Sequence, residues 1–600
     1  MSFVVTQPCC NDATCVDVCP VSCIRPTPDD PEYRTTEMLY IDPQTCIDCG
    51  ACTDACPVDA IYSEGELPPE YERYVEINAD YFRRHPLDNA DSRASVTPAV
   101  KIPREDTPLR VAVVGSGPAG IYAAAELLSR SSSGSVEVEV IDRLPTPWGL
   151  IRAGVAPDHL GTKEITNVFR RVSSRPGFRF HLNVEVGRHL THDELLEHHH
   201  AVIYAVGALG DRKLGVPGED LLGSVAASEF VAWYNGHPDY AKRVYDLSGE
   251  RVVVVGNGNV ALDVARILVS NPDTLASTDI AEHALEALRS SNIREVIVLG
   301  RRGPAQAAYT SPELIALRRL PGVDVVIDRS GVELGAGAAS ETDDDAFSTR
   351  LKVRLVEEYA ALDPNPANKR IVLRYLASPT RILGHNRVEG IEIVRNELVD
   401  RGDGSLEAAP TDRIDTIEAS LVLRSIGFRG TVVPGVPFDD ERGVIPNIDG
   451  RVLDPDSGKP MPGVYTTGWV KRGPSGVIGT NKQCAQNTVE ALISDLGAGR
   501  IERGPGRDAV TFAALMEQRN PAAIDGRGWQ AIDAEEKSRG GRQGRPRAKI
   551  TDIDELITTA GVANRFVVLP ADRSLTVAAV DGDAAVVTSK AVISLPDGST

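Results

Sequence analysis

Two stretches of the chain pass from a β-branched run through a glycine-rich turn into an apolar helix. They read "LRVAVVGSGPAGIYAAAELLSR" and "RVVVVGNGNVALDVARILV". Glycines between a strand and a helix allow a tight turn and let a pyrophosphate approach the N-terminus of the helix. The pattern therefore predicts two Rossmann-like dinucleotide-binding domains within the 600-residue chain.

The first glycine turn contains Gly115, Gly117 and Gly120, and the strand that follows it, "VEVEVID", ends at Asp142. An acid at this distance from the glycines suits a ribose hydroxyl, which predicts the adenosine of FAD. A glycine-rich turn that binds no ligand is the alternative.

The second glycine turn contains Gly256, Gly258 and Ala261, and its next strand, "EVIVLGRRGP", ends in Arg301 and Arg302. Paired guanidinium groups suit the 2′-phosphate of NADP(H), whereas an NAD site would carry an acid here. A solvated arginine pair is the alternative. An enzyme with both sites would move hydride from nicotinamide to flavin.

Two further strands, within residues 200–208 and 421–430, end in glycine and are the predicted crossings between the two domains. Residues 463–493 then return as strand, loop and helix. We therefore predict an NADP-binding domain inserted in the FAD-binding domain. The residues expected to close the flavin site are Gly468, Trp469, Gly476, Val477 and Ile478.

Nine of the ten cysteines precede residue 57. The run "CIDCGACTDACP" places Cys46, Cys49, Cys52 and Cys56 in the C-x2-C-x2-C-x3-C-P spacing of bacterial ferredoxins. In this spacing three thiolates hold one iron–sulfur cluster, and the fourth reaches across to a second cluster. A zinc site and a secreted disulfide scaffold are the alternatives, and both fit the spacing less well.

The first cysteine run, "CCNDATCVDVCPVSCI", aligns with the second at an offset of 37 residues, which predicts a duplicated half-domain. Every cysteine of the second run except Cys49 has a counterpart in the first, and Asp12 stands at that position. Cys23 falls on Ala60, so we expect it to be a buried free thiol.

The crossing pattern completes one four-thiolate site, for a 4Fe-4S cluster, and leaves three thiolates, which fit a 3Fe-4S cluster. The four-thiolate set is Cys46, Cys49, Cys52 and Cys19, and the three-thiolate set is Cys9, Cys15 and Cys56. Two alternatives stay open: Cys10 in place of Cys9, or a second 4Fe-4S cluster completed by Cys10 or Asp12.

The net charge of −21 argues against a general nucleic-acid binder, which would need a basic face. The chain has no apolar run of eighteen residues, and its start has no secretory pattern, so we expect a cytoplasmic protein without a membrane span. Residues 1–85 hold 16 acidic and 5 basic side chains, which suits an acidic electron carrier or docking module.

These patterns predict a multidomain α/β protein with an α+β ferredoxin domain. The predicted parts are a ferredoxin domain (1–85), a Pro-rich linker (86–107), an FAD-binding domain in two parts (108–207 and 421–561), an inserted NADP-binding domain (208–420) and a C-terminal extension with short strands (562–600).

Residues 1–65 resemble the seven-iron bacterial ferredoxins, although this chain has five residues, not seven, between its first two ligands and carries the additional Cys10. Residues 109–561 resemble the adrenodoxin-reductase type of NADPH–ferredoxin reductase through "VGSGPAG", "LPTPWGLIRAGVAPDH", "GNGNVALDVARIL", "GRRGP" and "GWVKRGPSGVIGTNK". The whole arrangement is similar to the fused ferredoxin–reductases of mycobacteria and related actinobacteria.

The resemblance implies that NADPH gives hydride to FAD, and that single electrons pass to the tethered clusters and on to an external acceptor protein, a ferredoxin or a cytochrome P450 system. It implies FAD contacts at Gly117, Ala119, Asp142, Leu150, Val186, Trp469, Gly476, Val477 and Ile478. It implies NADPH contacts at Asn257, Gly258, Asn259, Val260, Arg301, Arg302, Glu313 and Gly476.

His159 in "GVAPDH" and Glu313 in "TSPELIAL" are the candidate catalytic residues, with a structural hydrogen bond as the alternative. The histidines at 198–200 are expected to be solvated. Lys471 and Arg472 are expected to meet the acidic ferredoxin domain.

Two other functions stay open at this point. One is an electron-input subunit of a larger flavo-iron–sulfur complex, of the glutamate synthase small-subunit type. The other is a redox sensor or assembly scaffold without turnover.

Overall fold

A computed structural model of the chain describes residues 2–87, 100–103, 105, 107–132, 134–328, 346–402, 406–503, 507–564, 567–571 and 574–578. None of the described helices is both long enough and apolar enough to cross a membrane.

The N-terminal unit is a small α+β domain. Its elements are β1 (Phe3–Val5), α1 (Thr14–Val18), β2 (Ile24–Arg25), β3 (Tyr40–Ile41), α2 (Ala51–Ala55), β4 (Ile61–Ser63) and α3 (Arg73–Arg84), with 3₁₀ turns at Pro31–Arg34, Glu64–Glu66 and Pro69–Tyr71. β1 pairs antiparallel with β4, and β2 with β3. The buried side chain of Asn78 joins the two pairs, because its Oδ1 accepts hydrogen bonds from the Val5 N–H (3.2 Å) and the Ile41 N–H (2.9 Å).

The two halves of this unit share one backbone conformation. α1 and α2 begin 37 residues apart, at Thr14 and Ala51. Three residues of the first half and their counterparts 37 residues later all have positive φ, in the pairs Asn11 (55°) and Asp48 (58°), Ala13 (60°) and Gly50 (74°), and Ser22 (53°) and Asp59 (50°). The structure thus confirms the predicted duplication.

Residues 109–211 begin the first large α/β domain. Its strands here are β5 (Leu109–Val114), β6 (Val136–Asp142), β7 (Phe178–Leu182), β8 (Ala201–Tyr204) and β9 (Gly210–Asp211), and its helices are α4 (Pro118–Ser129), α5 (Leu150–Ala153), α6 (Leu160–Lys163), α7 (Ile165–Ser173) and α8 (His192–His198). β5 is buried along its whole length, as its apolar run predicts.

Residues 224–424 form the second large α/β domain. Its elements are β10 (Ser224–Ala226), α9 (Ala227–Tyr234), β11 (Arg251–Val255), α10 (Asn259–Val269), α11 (Pro272–Leu275), α12 (Glu282–Arg289), β12 (Glu295–Leu299), a 3₁₀ turn (Pro304–Gln306), α13 (Ser311–Leu317), β13 (Val323–Ile327), α14 (Ala346–Ala360), β14 (Lys369–Arg374), β15 (Ala377–Leu383), β16 (Gly390–Asp400), β17 (Leu406–Glu418) and β18 (Leu421–Arg424).

The chain then returns to the first domain. The remaining elements are β19 (Phe428–Arg429), β20 (Asn447–Ile448), β21 (Arg451–Leu453), β22 (Pro460–Thr466), α15 (Trp469–Arg472), α16 (Ile478–Gly497), α17 (Ala509–Arg519), α18 (Gly526–Arg542), α19 (Ile553–Asn564), β23 (Val567–Ala571) and β24 (Ser574–Ala578).

The two large sheets draw their strands from different parts of the chain. The first sheet has the order β20-β21-β22-β8-β5-β6-β7, and the second has the order β10-β18-β11-β12-β14-β13. In the second, β11 pairs parallel with β12 and β18. An antiparallel sheet, β15-β16-β17, shares a buried hydrophobic cluster with this second sheet.

The return crossing lies later than the predicted boundary between residues 420 and 421. β18 (421–424) pairs with β10 and β11, so it belongs to the second sheet, and the chain leaves that sheet after Arg424. The boundary prediction fails here because an apolar strand that ends in glycine fits either sheet equally well. The two crossing segments also pair with each other, as β9 with β19.

Most of the predicted linker, residues 88–99, lies outside the described residues. Near its end Ile102 is fixed to the first domain, because its N–H donates to the carbonyl oxygen of Arg130 at 2.8 Å. In the predicted extension, β23 and β24 pair antiparallel, which agrees with the short strands expected there.

The prediction of solvated histidines at 198–200 is wrong for two of the three. His199 and His200 are 0 % and 4 % exposed. His199 Nε2 lies 3.1 Å from Oε2 of the buried Glu139, and His200 Nδ1 accepts a hydrogen bond from the Arg110 N–H at 2.9 Å. The polar partners that make this burial tolerable come from neighbouring strands, which the local sequence does not show.

Burial lowers the pKa of His200 to about 4, and the Arg507 charge adds to this effect. Because the unfolded histidine takes up its proton near pH 6.5 and the folded one only near pH 4, the stability contributed by the neutral ring is lost as the pH falls through this interval.

We expect His200→Asn, whose side-chain oxygen can accept the same backbone N–H, to reduce the acid-induced loss of stability by on the order of 1 kcal/mol. Urea unfolding at neutral and acidic pH measures this difference. The exposed His385 provides the matched variant, His385→Asn, which should keep the wild-type pH dependence. Identical behaviour of the two variants would contradict the assignment.

Candidate redox site

The two fingerprint turns pack in the same way, each against the end of a crossing strand. Gly115 has φ 108°, and a Cβ there would lie 2.4 Å from the carbonyl oxygen of Ala205, directly after β8. Gly256 has φ 114°, and its Cβ would lie 2.1 Å from the carbonyl oxygen of Ser425, directly after β18. Both positions therefore require glycine, because backbone atoms fill the space of any side chain.

The first turn is packed against glycines from two other segments. Gly117 is the N-cap residue of α4, and a Cβ at Gly149, just before Leu150, would lie 3.0 Å from its Cα. A Cβ at Gly468 would lie 2.5 Å from that of Ala119. Gly117, Ala119 and the residues that precede Leu150 and Trp469 thus lie around the N-terminus of α4, a position that suits a pyrophosphate.

Asp142 lies beside this turn. β6, which it ends, is paired with β5, and its Oδ2 accepts a hydrogen bond from the Ser116 N–H at 2.8 Å. Val186 follows β7, the next strand of the sheet. Gly120 lies in the first turn of α4, where a Cβ would be 1.9 Å from the Gly115 carbonyl oxygen.

The second turn is flanked by the predicted arginine pair. Gly258 is the N-cap residue of α10, with Val260 and the buried Ala261 in the first helical turn. Arg301 and Arg302 follow β12, the hydrogen-bonded neighbour of β11, so they lie at the same sheet edge as this turn. Arg301 is exposed and Arg302 is half-buried, which leaves both able to meet a phosphate.

Two asparagines of this turn hold the segment that carries Glu313. The carbonyl oxygen of Asn257 accepts a hydrogen bond from the Tyr309 N–H at 2.9 Å. Asn259 Oδ1 accepts one from the Thr310 N–H at 2.7 Å. Because α13 begins at the next residue, these bonds fix the helix relative to the glycine turn.

The structure brings the two candidate catalytic residues together across the gap between the domains. His159 Nε2 lies 3.7 Å from Glu313 Oε2, and His159 Nδ1 lies 4.0 Å from Asp263 Oδ1. His159 comes from the first domain, whereas Glu313 and Asp263 come from the second. The gap between the two glycine turns is therefore lined by titratable side chains from both domains.

A buried arginine, which the sequence analysis missed, joins these groups. Arg266 contacts Asp158 through two hydrogen bonds, of 2.7 and 3.0 Å, and Asp263 through one of 2.7 Å. Its Nη1 lies 3.6 Å from Glu313 Oε2. The only sequence signal is placement, since Asp158 precedes His159 and Arg266 lies in the second fingerprint helix.

The pKa shifts follow from this burial and pairing. Burial alone would raise the pKa of Asp158, but Arg266 brings it down to about 2. Burial would lower the pKa of Arg266, and Asp158 and Asp263 outweigh it, so that pKa is raised. Burial raises the pKa of Glu313, with the His159 charge acting in the opposite direction.

Several buried polar atoms have no hydrogen-bond partner in the described part of the chain. At the gap they include Glu313 Oε2 and Arg266 Nη1, and Trp469 Nε1 is another, next to Gly468, which packs against Ala119 by the first glycine turn. The Trp469 ring packs against Phe428, with 5.3 Å between ring centroids. Unpaired buried polar atoms are costly, so their presence fits a polar ligand in the gap, such as a flavin or a nicotinamide.

The segment predicted to close the flavin site is the start of α16. Gly476 has φ 81°, and a Cβ there would lie 2.6 Å from Thr480 Oγ1. Val477 donates its N–H to the same oxygen at 3.2 Å, and Ile478 begins the helix.

The cysteines of the N-terminal unit form two groups. One small void is lined by Cys9, Cys10, Cys15 and Cys56. Burial raises the pKa of Cys9 to about 11, and the nearby Cys56 thiol adds to it. Cys56, from the second run, therefore lies among cysteines of the first.

The other group reverses this arrangement. Burial raises the pKa of Cys52 to about 12, and Cys46, Cys19 and Cys49 contribute as neighbours. Cys19, from the first run, therefore lies among cysteines of the second. Cys23 is buried, as expected, and its Sγ lies 3.4 Å from that of Cys19.

The N-terminal unit contacts both large domains. Lys482 Nζ of the first domain lies 3.3 Å from Asp12 Oδ2. In the second domain, the Ser311 N–H donates to Glu37 Oε2 at 2.8 Å, and Glu37 Oε1 pairs with Lys352 Nζ at 2.8 Å. A further double hydrogen bond joins Arg73 to Glu358, at 2.7 and 2.8 Å.

The prediction that Lys471 and Arg472 make this contact is wrong. Lys471 Nζ donates to Thr488 Oγ1 at 3.1 Å, and Arg472 Nη2 donates to Asn481 Oδ1 at 3.0 Å, both within the first domain. The contacting lysine, Lys482, lies one turn into α16, in the same sequence motif.

Comparison with known proteins follows the same division of the chain. Residues 109–297 match the pyridine nucleotide-disulphide oxidoreductase family, and residues 39–62 match the 4Fe-4S binding domain. A "Probable ferredoxin/ferredoxin--NADP reductase" of Mycobacterium leprae is 48 % identical over 567 residues, which are 94 % of this chain and 98 % of that protein. The chain belongs to the ferredoxin/ferredoxin–NADP reductases.

Two further similarities cover the reductase without the ferredoxin. "NADPH-ferredoxin reductase FprA" of Mycobacterium tuberculosis is 47 % identical over 461 residues, which are 75 % of this chain and 98 % of that protein. A solved structure, "Mycobacterium tuberculosis FprA in complex with NADPH", is 46 % identical with a TM-score of 0.71 and covers 76 % of this chain and 99 % of that one. The predicted class, a flavoprotein ferredoxin–NADP reductase with an appended ferredoxin, is thereby confirmed.

In this reductase we expect Gly115→Ala to reduce the FAD retained per chain about tenfold or more, because the methyl group meets the Ala205 carbonyl and the positive φ is strained. Flavin absorbance after gel filtration measures the retained FAD.

The matched variant is Gly134→Ala. Gly134 also has positive φ, 79°, but apart from its two chain neighbours no residue of the described chain has an atom within 4 Å of the position that a Cβ would take there. It should keep its flavin. Equal FAD content in the two variants would contradict a pyrophosphate site at Gly115.

Proposed function

We propose that this protein transfers hydride from NADPH to FAD and passes the electrons through its own iron–sulfur clusters to an external acceptor protein. The observation that supports this most strongly is the 3.7 Å approach of His159 and Glu313, each from a domain with its own dinucleotide fingerprint. This approach would bring the two expected cofactors to one gap.

The first domain would bind FAD and the second, inserted domain would bind NADPH. All strands of the second sheet lie between residues 224 and 424, and both flanking segments pair as β9 and β19, which supports an insertion. FAD, when bound, would supply the ability to take up two electrons with the hydride and release them singly.

The protein's own groups at the gap would position the rings and exclude water. Glu313 Oε2 faces His159 Nε2 and has no hydrogen-bond partner in the described part of the chain, so it would accept a hydrogen bond from the nicotinamide side of the gap, or donate one when protonated. Its raised pKa and its contact with His159 suit the pair to move the one proton that reduction of a flavin by hydride requires from solution. Trp469 Nε1, which also has no hydrogen-bond partner in the described part of the chain, would donate a hydrogen bond to FAD.

The cysteine groups support a crossed ligand arrangement. Cys46, Cys49, Cys52 and Cys19 would hold a 4Fe-4S cluster, and Cys9, Cys15 and Cys56 a 3Fe-4S cluster. Cys10 lies in the same buried hydrophobic cluster as Val58 and Tyr122, which favours a packing role for it over a ligand role.

Electrons would leave the protein at the surface beside Cys46, Cys49, Cys52 and Cys19, here called the four-cysteine group. Cys49 is exposed, and the neighbouring Ile47 is 58 % exposed. An apolar side chain beside a cluster ligand is a suitable contact for an acceptor protein, which we propose to be a separate ferredoxin. A P450-type acceptor and a cytoplasmic location stay predictions from the sequence.

The principal test is anaerobic NADPH titration of the purified holoprotein with low-temperature EPR. The oxidised protein should show the signal of a 3Fe-4S cluster, and NADPH should reduce both flavin and cluster. NADPH-dependent flavin reduction without any cluster reduction would contradict the proposed route.

Cys49→Ser tests the ligand set. It should remove the 4Fe-4S signal and reduction of a protein acceptor, while NADPH–ferricyanide turnover, which draws on the flavin directly, continues. Cys23→Ser is the control, because Cys23 is buried beside Cys19 but belongs to no predicted ligand set. If Cys49→Ser keeps the iron content of the wild type, the assignment fails.

The arginine pair tests the nucleotide preference. Replacing Arg301 and Arg302 together by Ala should raise KM for NADPH and leave KM for NADH unchanged, lowering the preference for NADPH by about 2 kcal/mol or more. Steady-state ferricyanide reduction with each nucleotide measures this.

The control variant is Arg289→Ala, at an exposed arginine at the end of α12. It should keep the wild-type preference. An unchanged preference in the double variant as well would place the 2′-phosphate elsewhere.

A further inference from the structure

The two loops at the second ligand position of each cysteine run have one backbone conformation and opposite surroundings. Asn11 and Asp48 have φ 55° and 58°, and the residues after the ligand position also match. Yet Cys49 is exposed, whereas Asp12 is 7 % exposed and Asn11 2 %. Of the two loops, only the one with the missing cysteine is covered by other described residues of the protein.

Asp12 is engaged by the reductase and by its own loop. Its Oδ2 lies 3.3 Å from Lys482 Nζ and accepts a hydrogen bond from the Tyr122 hydroxyl at 3.4 Å. Its Oδ1 accepts the Thr14 N–H at 3.1 Å. Lys482 also donates to the Asp12 carbonyl oxygen at 2.9 Å. Both carboxylate oxygens are thus used in contacts with protein atoms.

The backbone of the same loop lies directly on α16. The Gly479 N–H donates to the Cys10 carbonyl oxygen at 2.8 Å. A Cβ at Gly479 would lie 1.6 Å from the Asn11 carbonyl oxygen, so this contact requires glycine. Gly479 follows Ile478, the last of the residues expected at the flavin, so the loop lies on the flavin side of the reductase.

We propose that Asp12, at the position of the missing ligand, is a positioning residue that docks the ferredoxin domain on the reductase through Lys482. The group of Cys9, Cys15 and Cys56 thereby faces the flavin site, and the four-cysteine group faces solvent. Asp12 is therefore an interdomain contact and not a cluster ligand. The inference rests on the proposed function for the meaning of these two groups.

The docking itself is tested with one added methyl group in the full-length holoprotein. Gly479→Ala should force the ferredoxin domain away from α16, which small-angle X-ray scattering would register as a larger radius of gyration. Electron transfer from flavin to cluster, followed by stopped-flow absorbance, should slow about tenfold or more.

Gly497→Ala is the matched control in the same helix. It adds the same methyl group, but apart from the chain neighbours and the backbone of its own helix no atom of the described chain lies within 4 Å of the place that its Cβ would occupy. It should match the wild type in both measurements. If Gly479→Ala also matches the wild type, the proposed docking is wrong.

Asp12→Asn distinguishes two roles for Asp12, an anchor that docks the ferredoxin domain on the reductase and a ligand of an iron–sulfur cluster. As an anchor, it should leave the oxidised 3Fe-4S signal and the iron content unchanged and should slow transfer from flavin to cluster, as should Lys482→Met. As a ligand of a 4Fe-4S cluster, it would create a new 3Fe-4S signal, which would overturn the inference.

Failure here is distinguishable from failure of the proposed function. In the latter case the wild type itself shows no NADPH-driven cluster reduction. In the former case the wild type reduces its clusters, and the Gly479→Ala and Asp12→Asn variants do so at the same rate.

Discussion

One buried arginine ties together the two domains whose cofactors would have to meet. Arg266 is 3 % exposed, and Asp158 reaches it from the opposite domain. A guanidinium so deeply buried is tolerated only when carboxylates satisfy its charge and its N–H groups. Asp158 and Asp263 meet most of that need, so Glu313, at 3.6 Å, stays available to face His159. The geometry of the gap thus follows from how the arginine is neutralised.

The ferredoxin domain shows how a duplicated unit acquires two different ends. Its two halves have equivalent helices, and equivalent positions in both have positive φ. This backbone conformation folds the chain around the cysteines. The difference lies in one side chain of each loop, Cys49 in one half and Asp12 in the other. A soft thiolate suits iron, whereas a carboxylate suits a lysine of a neighbouring domain. A single position therefore separates a solvent-facing half from a docked half.

The features that could be predicted from the sequence are those with a local cause. The glycines at 115 and 256 have positive φ within a strand–turn–helix pattern, and the cysteine spacing reflects a chelate around one cluster. Such constraints act within a few residues and leave a readable pattern.

The predictions from sequence that were wrong or missing concern contacts between distant segments. His199 and His200 are buried by partners 60 and 90 residues away, and the docking lysine is Lys482 because α16 presents that turn. The strand at 421–424 fits either sheet by its composition, and only its pairing assigns it. The Arg266 cluster likewise depends on Asp158, 108 residues away. Local sequence does not encode which distant residues will be neighbours.

The pairing of β9 with β19 has a mechanical consequence. Both connections to the second domain run through one short antiparallel ribbon, so a rotation of this domain against the first would bend that ribbon. The ferredoxin domain contacts the second domain through Glu37 and Arg73 and the first domain through Asp12. Such a rotation would therefore break one of these sets of contacts or carry the ferredoxin domain along. The appended domain thus restrains the two large domains by a route separate from the ribbon.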